Sequence, residues 1–429
     1  MPDRNRSPRL SHLVTAGFLC AAFVAPRAEA AGFGFFTQGG RATGMAGAYV
    51  AQADDPTAIF YNPGGLALLK DRKSVSIGTA ATAFNEALYQ GLPPGIGAGT
   101  TGEQETSIDT LHHAWVVYPL GSYFVAGIGA FSPFRLNTEW ANADSFAGRS
   151  IATAAEITTY DVVPTLAFQP TERFGIGLGV IYRSSELSAS RRIAGSLAGQ
   201  AVDVASLSLD TDMEPAFGFT FGLLHKASPR FSWGLSYRSA IETDFIGTGE
   251  LTQIETGNDQ FDALIKDTFP FGDELALESQ LSYPDLASLG LAFGLTERAL
   301  IELDVNRTGW SETQNLDFLF VGDPELNTPY ALTFEDAMSY RLGFRYQFRT
   351  GPRFLLGYAF EETPQPDATV GAYLADSDRH LLSAGFGLDW LDVGLTWMTY
   401  DQRVIRTSAD GLNGNWRANA YVVSVTATK

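Results

Sequence analysis

The sequence predicts an all-β fold, an antiparallel transmembrane β-barrel of about fourteen strands. Three observations carry that prediction. Segments alternating with period two recur along the chain, each with one face free of charge. The opposite face is Gly, Ser and Arg rather than the Lys and Glu of a solvated sheet. The connections alternate between tight turns and long loops, as in barrels with periplasmic turns and extracellular loops.

The alternation is plainest in Phe174–Arg183. There Phe174, Ile176, Leu178, Val180 and Tyr182 oppose Gly175, Gly177, Gly179, Ile181 and Arg183. Phe231, Trp233, Leu235 and Tyr237 likewise oppose Ser232, Gly234, Ser236 and Arg238, and Leu342, Phe344 and Tyr346 oppose Arg341, Gly343, Arg345 and Gln347. Comparable runs cover 74–84, 112–119, 122–135, 156–168, 173–187, 214–225, 230–249, 277–294, 299–317, 338–348, 353–361, 379–389, 391–401 and 418–428. Tight turns fall at Pro119–Gly121, Pro170–Glu172, Lys226–Pro229, Leu295–Arg298, Arg349–Pro352 and near Trp390. Between them, 85–111, 188–213, 250–276 and 402–417 read as long loops.

Composition agrees. Of 429 residues, 45% are apolar and 18% charged, below the roughly 25% charge of soluble domains. Gly is abundant at 44, with 30 Phe and 16 Tyr, and a mean hydropathy near zero is too polar for a bundle of membrane helices. After the first thirty residues no run of about 18 apolar residues appears, so helical spans are not expected. A formal charge of −19 leaves no broad basic surface for nucleic acid.

Arg4, Arg6 and Arg9 precede an apolar stretch from Leu13 to Pro26, and Ala28-Glu29-Ala30 supplies a small-residue cleavage site. Residues 1–30 therefore read as a secretory signal peptide. Cys20, the only cysteine, lies within it, and Leu19 ahead of it argues against lipoprotein acylation. Cleavage leaves an exported chain of 25 basic and 46 acidic residues, a balance of −21, with no disulfide, thiol nucleophile or cysteine metal site. Residues 31–73 do not alternate. Asp55-Pro56 and Asn62-Pro63-Gly64 are turn signals within them, while Ile59, Phe60, Tyr61, Leu66, Leu68 and Leu69 favour packing against something. The segment reads as a flexible lead-in or an internal plug, followed by a barrel over 74–429.

Gly40-Arg41-Ala42-Thr43-Gly44-Met45-Ala46-Gly47-Ala48-Tyr49, then Ala53-Asp54-Asp55 and Ile59-Phe60-Tyr61-Asn62-Pro63, resemble the N-terminal hatch of the FadL-type outer-membrane transporters of long-chain fatty acids and other hydrophobic compounds. The likeness continues, in order, at Gly234-Leu235-Ser236-Tyr237-Arg238-Ser239, Tyr283-Pro284-Asp285, Gly309-Trp310-Ser311, Thr363-Pro364-Gln365-Pro366-Asp367 and Asp376-Ser377-Asp378-Arg379. It implies a fourteen-stranded barrel plugged by the hatch, matching the independent strand count. Two departures stand out. Gly64 takes the place of the family's Ala, which is expected to loosen that turn slightly. The chain ends in Thr428-Lys429, where such barrels usually end on an aromatic residue.

Capture of a fatty acid needs an apolar tunnel for the tail and donors for the carboxylate. Period two points Arg183, Arg238, Arg341 and Arg345 into the lumen as candidate carboxylate ligands, and the resemblance implies inward basic residues there. Their other role is to pair with inward acids such as Glu302 and Asp304. Phe261, Leu264, Ile265, Phe269 and Phe271 are candidates for a capture groove, the first three at helical spacing; loop 188–213 adds Ile193, Leu197, Val202, Val204 and Leu207. The alternative is a loop core that caps the barrel. Pro133, beside Ser132, removes a ladder donor from its strand. The resemblance implies a strand kink that opens a lateral gap in the wall, and this pair is the candidate; a bulge or a strand end is the alternative. Asn62, Pro63 and Gly64 are expected to hold a hatch whose rearrangement connects the lumen to that gap.

Catalysis finds no support. His112, His113, His225 and His380 remain after cleavage, with no Gly-x-Ser-x-Gly elbow; His112-His113 lacks further spaced metal ligands; and no crossover helix follows the Gly-x-Gly pairs. No cofactor is expected. The expected partners are a fatty acid or other hydrophobic small molecule and the lipid and lipopolysaccharide of a Gram-negative outer membrane, around a monomer. Aromatic hydrocarbons as cargo, or a structural or receptor barrel with a permanent plug, are the alternatives.

Overall fold

The computed structural model describes residues 32–429, so the signal-peptide reading of 1–30 lies outside the described residues. Fourteen strands form the wall: β1 Ser74–Gly91, β2 Ile108–Pro119, β3 Phe124–Phe131, β4 Ala154–Thr171, β5 Phe174–Leu197, β6 Glu214–Ser228 and β7 Phe231–Arg238, then β8 Leu286–Gly294, β9 Ala299–Thr308, β10 Ala337–Gln347, β11 Arg353–Glu361, β12 Arg379–Gly387, β13 Leu391–Tyr400 and β14 Gly414–Thr428. Each pairs antiparallel with its neighbours in order, and β14 returns to β1, so the ring of strands is closed. Among the described residues no helix is long and apolar enough to cross a membrane.

The burial pattern is inside-out for a protein in water. Leu178, Val180 and Tyr182 stand exposed on the outer face of β5, as do Ile77, Phe217, Leu235 and Leu342 on their strands, while Arg183 and Arg238 are buried in the lumen. That is the apolar band a barrel presents to lipid.

Above the band the structure departs from the sequence reading. Residues 188–213 are not a loop: β5 runs on to Leu197 and pairs with Gln200–Thr211 as a hairpin. There the apolar side chains change face, with Leu187, Ala189, Leu207 and Leu209 buried inward, because water has replaced lipid outside. The runs 230–249 and 277–294 each break in two. Ile241–Gln253 and Leu275–Tyr283 leave the wall and pair with each other, the latter separated from β8 by Pro284-Asp285. The run 122–135 ends as a wall strand at Phe131, and Arg135–Glu139 forms its ladder with β4.

Residues 32–73 fill the lumen. Proline and glycine punctuation limits them to short helical pieces: α1 (Gly40–Thr43), α2 (Ala58–Tyr61) and a 3-10 segment at Pro63–Leu69. Their apolar side chains Met45, Tyr49, Ile59, Phe60 and Leu66 form one core with Trp115, Val125, Phe131 and Leu355 of the wall.

Candidate functional site

The hatch motif seats this inner segment on the wall. The Asn62 amide donates to Val50 O at 2.8 Å and Leu223 O at 2.9 Å, and its Oδ1 accepts from Gly64 N at 3.1 Å. A Cβ on Gly64 would lie 2.9 Å from Gly175 O, Gly222 O and Leu224 N, so the hatch backbone touches the backbone of β5 and β6 there. Gly64 thus has a second role besides the turn, a close approach to the wall that a larger residue would crowd. Asp304 accepts from Tyr49 N (2.7 Å) and Val50 N (3.0 Å), and Glu302 from Ala51 N (2.5 Å) and the Gln52 side chain (2.6 Å), so these acids clamp hatch backbone rather than arginines.

The four lumen arginines do not form one cluster. Arg345 reaches hatch Asp54 at 2.7 Å, and Arg341 binds Glu361 and donates to Ala46 O at 2.6 Å, so both hold the hatch. Arg183 and Arg238 do converge. Asp161, directly opposite Arg183 across β4 and β5, takes Nε and Nη2 of Arg183 at 2.7 and 2.9 Å and Nη1 of Arg238 at 3.3 Å. One buried carboxylate thus serves two buried guanidiniums, leaving an excess positive charge in a buried site. Rings soften it: Arg183 stacks on Phe134 and Tyr283, and Arg238 on Phe60 and Phe131. Nε and Nη2 of Arg238 have no partner, and Arg238 lines a small cavity with Phe36, Tyr61, Ser288, Asn306 and Arg341.

Higher up the lumen is apolar. Phe33, Leu136, Ile157, Leu187, Leu281, Phe318, Tyr330 and Tyr373 line a narrow cavity. Through Phe318 and Tyr373 it adjoins a crevice under the 188–211 hairpin, and through Phe33, Leu136 and Leu374 a larger cavity of about 130 Å³. Burial pushes the Tyr373 hydroxyl up to about 12, so it stays neutral beside this path. Asp376 borders the larger cavity, accepts from Gly32 N at 2.8 Å and Thr363 Oγ1 at 2.5 Å, and is raised by burial to about 6.

The groove candidates lie on and after α3 (Asp259–Thr268), capped by the Asn258 side chain on Phe261 N. Phe261 lies over Gly195 and Val204 of the hairpin, Ile265 is buried, and Phe269 and Phe271 pack on the upper core. Leu264 is 59% exposed.

At Ser132-Pro133 the chain dives inward. The β2–β3 ladder stops at Ala114↔Ala130. Beyond it, Pro133 O accepts from Phe35 N (2.8 Å), Arg135 N donates to Phe33 O (3.0 Å), and Ser132 O accepts from the Gln38 side chain (2.7 Å). The Thr159 hydroxyl takes both backbone groups of Phe134 on the β4 side. Hydrogen bonds that would have closed the wall go to the hatch. Backbone pairing with the β2 side resumes at Glu105 N to Glu139 O, 2.7 Å, and Gln104↔Trp140. Between lies a window nine residue steps long, about 30 Å of strand. Asp161 and the hatch residues Phe33 to Gln38 were not singled out from the sequence; the inward phase of β4 points to Asp161, whereas nothing local marks the others.

A closed ring of fourteen antiparallel strands, banded with apolar residues outside and with its own N-terminal segment packed inside, defines a β-barrel of the outer-membrane type. Residues 21–429 match the family described as outer membrane protein transport protein (OMPP1/FadL/TodX), and the chain belongs to that family. It is a transporter of the Gram-negative outer membrane, a channel for hydrophobic compounds rather than an enzyme. It is 25% identical over 418 residues to the long-chain fatty acid transport protein of Salmonella typhi, covering 90% of this chain and 92% of that protein. With the same coverages it is 24% identical over 429 residues to the Escherichia coli (strain K12) protein of that name. In three dimensions it matches a Pseudomonas aeruginosa FadL homologue with a TM-score of 0.78 at 21% identity, covering 93% of this chain and 99% of that one. It matches the toluene transporter TodX of P. putida at 0.67 and 17% identity, covering 92% and 98%.

Proposed function

We propose that this protein takes up long-chain fatty acids by passive diffusion. Cargo enters from the groove between α3 and the 188–211 hairpin, moves down the apolar cavities, and leaves sideways into the membrane through the β2–β3 window. The observation that carries the acid reading is Asp161 shared between Arg183 and Arg238, with one edge of Arg238 unpartnered. A second carboxylate balances that charge; a neutral arene does not. The hatch over residues 31–73 is the gate, seated by Asn62, Pro63 and Gly64. The working unit is a monomer in outer-membrane lipid and lipopolysaccharide, since the ring closes on its own strands.

Equilibrium binding to the purified protein, comparing a long-chain acid with the alcohol of equal length and with toluene, tests the cargo. Preference for the acid supports the proposal. Equal binding of acid and alcohol, or preference for toluene, points to a general lipophile or aromatic channel, and no binding at all to a permanent plug. The exit is tested by Ser107→Cys with Asn137→Cys, a pair facing across the window in a chain whose sole native cysteine lies in the signal segment. Oxidation is expected to stop uptake and reduction to restore it; unchanged uptake overturns the lateral route.

A further inference from the structure

The window is open in backbone but bridged in side chains. Extending the register of Ala114↔Ala130 places Asp109 opposite Arg135 and Ser107 opposite Asn137. Both pairs meet. Asp109 Oδ1 accepts from Arg135 Nη2 at 3.2 Å and from Asn137 Nδ2 at 2.8 Å, and Asn137 Nδ2 lies 3.4 Å from Ser107 Oγ. On the other side Nη1 of Arg135 is held by Glu156 at 2.7 Å and by Thr158. Asp109, Arg135 and Asn137 line the 130 Å³ cavity together with Phe33, Phe35 and Leu136.

The Nε–Nη2 edge of Arg135 is half used. In Arg183 and Arg353 that edge grips a carboxylate with both nitrogens, at 2.7 and 2.9 Å and at 2.7 and 3.1 Å. In Arg135 only Nη2 is engaged, at 3.2 Å, and Nε is buried without a partner. A free carboxylate that takes both nitrogens makes a stronger contact than Asp109 does.

We infer that Asp109, Arg135 and Asn137 form a cargo-released latch across the window, selective for carboxylated hydrophobes. The carboxylate of an arriving acid replaces Asp109 on the Nε–Nη2 edge of Arg135. The ion pair between β2 and the inward-kinked chain is thereby broken, leaving only the bonds of neutral Asn137 across it, and the window widens for the tail. An alcohol or hydrocarbon offers Arg135 no anion in exchange, so the latch stays shut against it. The inference rests on the lateral-exit reading above.

The test is uptake by intact cells, above that of cells lacking the protein, of a long-chain acid and the alcohol of equal length. The wild type is expected to favour the acid. In Asp109→Asn, alcohol uptake rises about threefold, the size of a partly exposed ion pair, and the acid-to-alcohol ratio falls. In Arg135→Gln the ratio falls as well. Asn137→Ser, which removes only the 2.8 Å bond, gives the smaller change in the same direction and serves if Asp109→Asn does not assemble. A ratio equal to wild type in all assembled variants overturns the latch. The oxidised Ser107→Cys/Asn137→Cys protein separates the two readings: if it transports normally, the lateral exit itself fails; if it is blocked while the ratios stay unchanged, only the latch does.

Discussion

Two seams of the barrel differ in a way that chain connectivity does not explain. β1 and β14 are the first and last wall strands, yet they pair from Ser76↔Thr428 to Gly91↔Gly414 with one bulge between Phe84 and Glu86. β2 and β3 are joined by a tight turn, yet their ladder ends at Ala114↔Ala130. Loop-closure entropy favours the hairpin over a seam between distant strands. The break therefore comes from a proline without an N–H and from an N-terminal segment, distant in sequence, that takes the hydrogen bonds the wall gives up. The inner segment makes the same contrast, resting against intact ladders at Gly175 and Gly222 and bonding its own backbone to Pro133 and Arg135 at the window.

The largest effect expected comes from moving the proline. Val422→Pro, in the closing strand paired on both sides, costs about 3 kcal/mol or more and abolishes the heat-resistant band of folded barrel on gels. Pro133→Ala, where no wall ladder exists to restore, shifts stability by less than about 1 kcal/mol in the same assay. Next is Gly64→Ala. Its Cβ meets three backbone atoms at 2.9 Å, so unfolding in detergent should show a loss of about 2 kcal/mol. A loss under ~0.5 kcal/mol would mean that the seat on β5 and β6 is loose.

Arg238→Gln sharpens the comparison in binding rather than stability. Affinity for a long-chain acid falls about tenfold while that for the equal-length alcohol is unchanged, read by displacement of a fluorescent ligand. The smallest effect is with pH. The Asp376 carboxyl sits at about 6 in the folded protein, above its ordinary 3.8, so the folded state binds the extra proton between those values. Its contribution is greatest in acid and declines as pH rises through 6. Against Asp376→Asn, the wild type should lose about 1 kcal/mol of stability from pH 5 to pH 7. A flat or rising difference would contradict burial as the cause.

The legible part of this protein was the wall. Phe174 to Arg183 shows both faces of a lipid-bounded strand in ten residues, and the outer face proved exposed. The hairpin above it was misread for a reason visible in the same strand. After Tyr182 the apolar residues move from even to odd positions, Leu187 and Ala189, and that change of phase marks where lipid gives way to water. The arginines were legible as inward but not as partners. Their pairing depends on register, which brings Asp161 opposite Arg183, and on the lumen path that brings Asp54 to Arg345.

Sequence by itself determined that this chain is a barrel, which side chains meet lipid, and that residues 59–69 were suited to packing. Period two, glycine on one face and the rhythm of turns are local properties, and the solvent on each side of a single strand enforces them. Tertiary structure decided what takes up the hydrogen bonds beside Pro133 and which charges lack a full partner. Both depend on residues distant in sequence: Phe33 and Phe35 beside Pro133, Asp109 beside Arg135, and Asp161 between Arg183 and Arg238. A hydrogen bond made to the hatch is one the wall does not make, and only the closed ring brings those competitors within reach.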